Sequence, residues 1–181
     1  MKTLKFIITI GLSLFFMGCP ARSLFPLFTE KDSMFNPGLV GAWVDQGNKE
    51  TYYFQKGGGK DYAVIVCREK EDTSHYTAQL GQLGKKWFLD SYPSEDPKDF
   101  QLVPTRIISK IWLNGDTLTF ASLESNYLKG LIESKKIKIP YTTQKGDVIL
   151  IASTDELQQL ILQLSQDDKA FGNPTTLVRL K

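Results

Sequence analysis

From Gly38 onward the chain alternates apolar and polar residues with period two in short segments, and that rhythm restricts it to a mainly β fold. The segments are Leu39 to Asp45, Thr51 to Gln55, Asp61 to Arg68, His75 to Gln82, Lys86 to Tyr92, Thr105 to Leu113 and Thr117 to Ala121. All are rich in β-branched and aromatic residues, the types that fit a pleated, half-buried surface. Turn residues separate them: Asp45-Gln46-Gly47-Asn48, Gly57-Gly58-Gly59 and Asn114-Gly115-Asp116. Asn-Gly between apolar runs is the strongest short hairpin signal, and hairpins join antiparallel neighbours. The expectation is an antiparallel barrel or a strongly curved sheet. In the segment from Asp61, Tyr62, Val64 and Val66 alternate with Ala63, Ile65 and Cys67, so both faces are apolar. That pattern suits a strand that is central or closes a barrel.

Two segments break the alternation. Leu123, Tyr127, Leu128, Leu131 and Ile132 recur at helical spacing, which predicts a short amphipathic helix over Leu123 to Glu133. Strands are expected again at Ile137 to Tyr141 and Val148 to Ala152. Ser153 with Glu156 three residues on forms a capping box, followed by Leu157, Leu160, Ile161 and Leu164 on one face. Asp155 and Glu156 also suit the positive N-terminal end of that helix. Gly172-Asn173-Pro174 ends the helical stretch, and Thr175 to Leu180 reads as a final strand. The fold class is mainly β with appended helices, including a C-terminal amphipathic helix and a last strand.

The first nineteen residues set the address. Lys2 and Lys5 precede an uncharged, mainly apolar run from Phe6 to Phe16. A basic start and roughly ten apolar residues make a secretory signal, about half the length that a bilayer-spanning helix needs. The run ends in Phe16-Met17-Gly18-Cys19, which resembles the lipobox of bacterial lipoproteins, in which a small residue precedes a cysteine that is lipidated and becomes the mature N-terminus. The sequence departs from that motif at Phe16, where leucine is usual, and at the bulky Met17. The resemblance implies that residues 1–18 are removed and that Cys19 carries acyl chains such as palmitate. It also implies that the domain faces the periplasm or cell exterior, attached to the membrane through its N-terminal lipid. The absence of aspartate at position 20 resembles lipoproteins sent to the outer membrane where the host has two membranes.

Residues 19–37 then form the lipidated N-terminus and a tether, and 38–181 the β domain. Leu24, Phe25, Leu27, Phe28 and Phe35 are too apolar for a solvated linker, so the tether is expected to pack on the domain or to lie in the headgroup region. Pro26 disfavours a long helix there and hence favours the domain.

Charge and residue inventory exclude several functions. The chain has 22 Lys and Arg against 20 Asp and Glu, and loss of Lys2 and Lys5 with the signal leaves 20 against 20. A neutral domain without a clustered basic face gives no support for a nucleic-acid partner. Lys135, Lys136 and Lys138 read as one solvated strand edge. With Cys19 acylated, Cys67 is the remaining thiol and reads as a small buried hydrophobe. His75 is the single histidine. It and Cys67 flank the turn from Glu69 to Ser74 and form the one nucleophile-and-base pair the chain could build. One histidine and one cysteine do not make a zinc site, and Glu69, Glu71 and Asp72 lack the spacing of a calcium loop. Gly57-Gly58-Gly59-Lys60 leads into a strand, where a phosphate cradle needs a helix. No catalytic residue, metal or cofactor is expected.

Gly41-Ala42-Trp43 in the first strand resembles the Gly-x-Trp of lipocalin-like (calycin) barrels, in which the tryptophan plugs one end. In that family a late arginine packs on the tryptophan. Arg179 matches it in the last strand, although it follows the helix that it would precede in a lipocalin, and the helix at 123–133 is a further departure. The run from Leu39-Val40-Gly41-Ala42-Trp43 through Phe88-Leu89-Asp90 to Asp155-Glu156-Leu157-Gln158 is similar to a group of uncharacterised bacterial lipoproteins. The resemblance implies a structural plug of Trp43 and Arg179 and a non-catalytic domain that binds a small apolar ligand. The alternative is a filled barrel acting as a structural or protein-interaction component of the envelope, with its protein partner unspecified. Numerous aromatics could line a cavity or fill a core, so the ligand-binding residues stay open.

Overall fold

The computed structural model describes residues 19–68, 73–94 and 104–181. The expected signal at 1–18 and the acidic turn residues Glu69, Glu71 and Asp72 lie outside the described residues. Two short strands come first, β1 (Arg22–Ser23) and β2 (Ser33–Met34), then a 3-10 turn at Pro37–Leu39. There follow β3 (Gly41–Asp45), β4 (Glu50–Lys56), β5 (Tyr62–Cys67), β6 (Ser74–Leu83), β7 (Lys86–Pro93), β8 (Arg106–Asn114) and β9 (Thr117–Ser122). After them come α1 (Ser125–Glu133), β10 (Tyr141–Gln144), β11 (Asp147–Leu150), α2 (Thr154–Leu164), a 3-10 turn at Asp168–Ala170 and β12 (Thr175–Arg179).

Strands β3 to β9 pair antiparallel in chain order, and β12 pairs with β9 on one side and β3 on the other. The ring is an eight-stranded closed antiparallel barrel. Closure leaves its long strands without open edges. The expected turns fall between strands. Gly115 at φ +57° makes the tight β8–β9 connection, a conformation that a side chain disfavours. Gly57 to Gly59 close β4–β5, with Gly57 N–H donating to the Asp61 carbonyl at 2.9 Å.

Alternation sorts the strand residues between two cores. Inside the barrel, Leu39, Trp43, Phe54, Tyr62, Val64, Val66, Ala78, Leu80, Leu89, Ile111, Leu118 and Leu177 form one buried cluster. Outside it, the opposite faces of β7, β8 and β9 present Phe88, Ile108 and Ala121 to a second layer made of Ala21, Leu27, Phe28, α1, β11 and α2. Leu157, Leu160, Ile161 and Leu164 of α2 are buried there. The capping box starts that helix: Ser153 Oγ accepts from Glu156 N–H, and Glu156 Oε2 accepts from Ser153 N–H.

The segment after Cys19 packs on the domain. Cys19 carbonyl accepts from Ser125 N–H at 3.1 Å, Ala21 N–H donates to the Leu123 carbonyl at 2.7 Å, and β1 adds to β8 and to β11. Leu27 and Phe28 are fully buried. Phe28 lies flat on Gly81 of β6, where any β-carbon would overlap its ring. Leu27 N–H is held by Asp90 Oδ2 at 2.8 Å, and Asp90 also receives Arg106 Nη1 at 2.8 Å. Burial pushes the Asp90 carboxyl up, against the pull of the Arg106 charge.

One expected strand is displaced. Ile137 to Tyr141 is not a strand; the strand is β10, Tyr141–Gln144. Pro140 lacks an N–H and cannot donate to a ladder, so pairing starts after it. Lys136 and Ile137 N–H instead return to the Leu131 carbonyl at the end of α1, while Ile137 and Ile139 pack on the outer core. Lys135, Lys136 and Lys138 are exposed, as expected, but on this connection rather than on a strand edge.

Candidate functional site

The barrel has two unlike ends. At one, the chain from Phe35 to Val40 crosses the opening. Trp43 is fully buried beneath it, its Nε1–H donating to the Leu39 carbonyl at 2.9 Å. Arg179, paired with Trp43 across β12 and β3, lies with its guanidinium carbon 4.0 Å from the Trp43 ring centroid. Its Nη1 donates to the Val40 carbonyl at 2.8 Å and its Nη2 to the Gly38 carbonyl at 2.5 Å. Asp116 completes the pairing at 3.4 Å. Gly41, at φ +139°, leaves no room for a side chain, because a β-carbon there would sit 2.5 Å from Arg179 Nη1. Phe35 stacks on Tyr62, whose hydroxyl accepts from Asn36 N–H and donates to the Asn36 carbonyl. A void of about 120 Å³ remains beside this closure, between Asn36, Leu39, Leu80, Trp87, Ile111 and Leu113.

Among the described residues no segment crosses the other end, which holds a cavity of about 210 Å³. Its wall is the inner face of six consecutive strands: Tyr52 and Phe54 from β4, Val64 and Val66 from β5, Tyr76 and Ala78 from β6, Leu89 and Ser91 from β7, Ile107 and Ser109 from β8, Phe120 and Ser122 from β9. The small residues make the space. Ala78, Ser91, Ser109 and Ser122 face this end, whereas toward the plugged end the same strands carry Leu80, Trp87, Leu113 and Leu118.

Several polar groups of this end pair with one another. Ser109 and Ser122 hydroxyls share a hydrogen bond of 2.9 Å, and Ser91 Oγ donates to the Ile107 carbonyl at 3.4 Å. At the rim, Glu50 accepts from Tyr52 OH at 2.6 Å and from Arg68 Nε at 2.7 Å. Arg68 also reaches Ser74 Oγ at 3.2 Å, and a further hydrogen bond to Tyr76 helps to hold its charge. Burial, reinforced by the Glu50 carboxylate, pushes the Tyr52 hydroxyl far above its ordinary range, so the phenol is neutral at any physiological pH. What the cavity offers is an apolar, aromatic wall with a few engaged hydroxyls and the paired Arg68 guanidinium at its rim.

Cys67 and His75 do not line this cavity. Both lie on the outer wall, with Cys67 Sγ 3.9 Å from Thr73 Oγ1 and His75 opposite Ile65. Among the described residues no group of His, Cys, Asp and Glu is placed to hold a metal ion, and no helix is long and apolar enough to cross a membrane. Cys19 is exposed at the start of the described chain. The Asp90 clasp on Leu27 had no signal beyond an acidic residue within an apolar strand, since its partner is a backbone N–H.

The barrel is compatible with a lipocalin-like fold. No protein-family model, curated protein or solved structure matches the chain.

Proposed function

We propose that the protein is a lipid-anchored lipoprotein of the cell envelope, on the outer membrane in a two-membrane host, that holds a small apolar ligand in the open end of its barrel. The open-end cavity carries the reading: an apolar pocket with few convergent polar groups, in the mouth of a barrel plugged at its other end, is where such ligands bind. Its volume suits one short chain or ring system rather than a bulky molecule. Trp43 and Arg179 serve as the structural plug, and Cys19 as the acylated residue. We assign binding rather than catalysis because the described lining residues include no histidine, and the Glu50 carboxylate at the rim is already engaged by Tyr52 and Arg68.

Native mass spectrometry of the full protein, released from its membranes in mild detergent, tests the ligand directly. An apolar adduct is expected on the wild type and absent from Ser91→Leu, which fills the cavity. A wild type that carries no adduct and takes up no apolar fluorescent probe would overturn the binding reading and favour the alternative, an envelope interaction protein using the uncovered wall where Tyr53, Val178 and Leu180 are exposed. The anchor is tested separately. Cys19→Ser is expected to move the protein from the detergent phase to the aqueous phase, and unchanged partitioning would rule out lipidation there.

A further inference from the structure

The lipid anchor and the cavity mouth lie at the same end of the barrel. β9 runs from its hairpin with β8, at the plugged end, to Ser122, which lines the open cavity. The residues just beyond it hold the N-terminus: Glu124 bridges to Pro20, and Ser125 N–H binds the Cys19 carbonyl. Pro20 also lines an outer cleft of about 770 Å³ that extends to Asn48 of the rim and shares Phe120 and Ser122 with the cavity inside.

Between Cys19 and the domain there is no slack, because positions 19, 20 and 21 are each hydrogen-bonded or paired to residues 123–125. An acyl group on Cys19 would therefore fix which face of the barrel meets the bilayer.

A second feature of that end is independent of Cys19. β1 is antiparallel to β8 and parallel to β11, so β1 and β11 end, and β10 begins, on the open side. There the exposed Phe25, Tyr141 and Ile151 follow or start the strands, Phe25 being 49% and Tyr141 43% exposed. The connection entering β10 carries exposed Lys135, Lys136 and Lys138. Aromatic and aliphatic side chains beside lysines are the composition of a surface that rests in a lipid headgroup layer.

Resting on the lipoprotein reading, we infer that the open end faces the bilayer, and that the ligand is an acyl chain of a lipid in the same leaflet, entering through the cleft over Phe120 and Ser122. The anchor is thus an orienting device as well as a tether.

The test places one fluorescent label at either end of the acylated full protein, in a Cys67→Ser background. Gln46→Cys marks the rim; Gly58→Cys marks the plugged end, where a β-carbon meets nothing within 4 Å. Strand rise and tilt separate the two ends by roughly 20 Å along the axis. On vesicles of brominated phosphatidylcholine with anionic phosphatidylglycerol, the label at 46 is expected to be quenched several-fold more than that at 58. A flexible Gly/Ser spacer inserted between Cys19 and Pro20 is expected to keep flotation with the vesicles and to erase the contrast. Protein that does not float with vesicles removes the anchor reading itself. Protein that floats with equal or reversed quenching overturns the orientation alone, as does a spacer variant that keeps the full contrast.

Discussion

The two ends of this barrel are built from the same strands and the same alternation, yet one is plugged and the other hollow. At the plugged end a strand-opening glycine lets an arginine lie over an indole, and the arginine's remaining donors tie down the crossing chain at Gly38 and Val40. At the open end the inward positions include three serines and an alanine, and the described polar groups Glu50, Tyr52 and Arg68 at the rim, and Ser109 and Ser122 within, pair with one another. The difference lies in side-chain volume and in where backbone carbonyls find donors, not in hydrophobicity. A barrel of this size can be filled or hold one small ligand, and here each end takes one of the two solutions.

The largest effect should come from emptying the plugged end. Trp43→Ala removes a fully buried indole and its hydrogen bond to Leu39, and is expected to cost about 3–5 kcal/mol. Denaturant unfolding would measure it. A loss below about 1 kcal/mol would mean that the plug is dispensable and the two ends are alike. Gly41→Ala should follow at about 1–3 kcal/mol, as an overpacking change that forces Arg179 off the ring. In an Arg179→Ala background that penalty should shrink, because the clash has lost its partner.

Arg179→Ala itself is expected to cost less than Trp43→Ala. The stacked guanidinium contributes about 0.5–2 kcal/mol, depending on how dry it is, and Arg179 keeps part of its surface in water. A double-mutant cycle of the two should show coupling of about 0.5 kcal/mol or more. Additive effects would break the plug into two unrelated contacts.

How much of this contrast could be read from the chain follows from the kind of signal each end leaves. Gly41-Ala42-Trp43 and Arg179 are unusual enough in strands to stand out, and closure of the last strand on the first brings them together. The Asn114-Gly115 hairpin and the Ser153 capping box are local, so they were legible without any tertiary knowledge. The cavity was not. It depends on Ser91, Ser109, Ser122 and Ala78 lying near one another on separate strands, and only strand register decides which small residues meet. A one-residue slip of any one of these strands would turn its small residue outward and put a different side chain into the space. The apolar tether was visible as apolar, but not the pairing of β1 with β8, because a two-residue strand carries no pattern and its partners are backbone groups. Around Ile137 the residue types favour a strand, but Pro140 has no N–H to donate, and the ladder begins only at Tyr141.

The smallest effect on stability should come at the open end, and it is the sharpest test of the contrast. Ser91→Leu adds bulk where the structure has space, and the one hydrogen bond it removes is the long one to the Ile107 carbonyl. The cross-strand partners of Ser91 are Ala78 and Ile107, so the extra methylenes extend over apolar neighbours into the cavity. The new apolar packing and the lost hydrogen bond are of similar size, so the expected change in unfolding free energy is within about 0.5–1 kcal/mol. Binding should respond very differently, because the leucine occupies the volume that a ligand needs, and uptake of an apolar fluorescent probe should fall at least about tenfold, the equivalent of 1.4 kcal/mol. A matched insertion at the plugged end, Ala42→Leu, points to the outer wall of β3 and should leave uptake unchanged. If Ser91→Leu instead unfolds the barrel as severely as Trp43→Ala, the open end is as tightly packed as the plugged one. If it is stable and still takes up the probe at wild-type affinity, the probe sits elsewhere, and the uncovered wall of β4 and β12 becomes the surface to probe next.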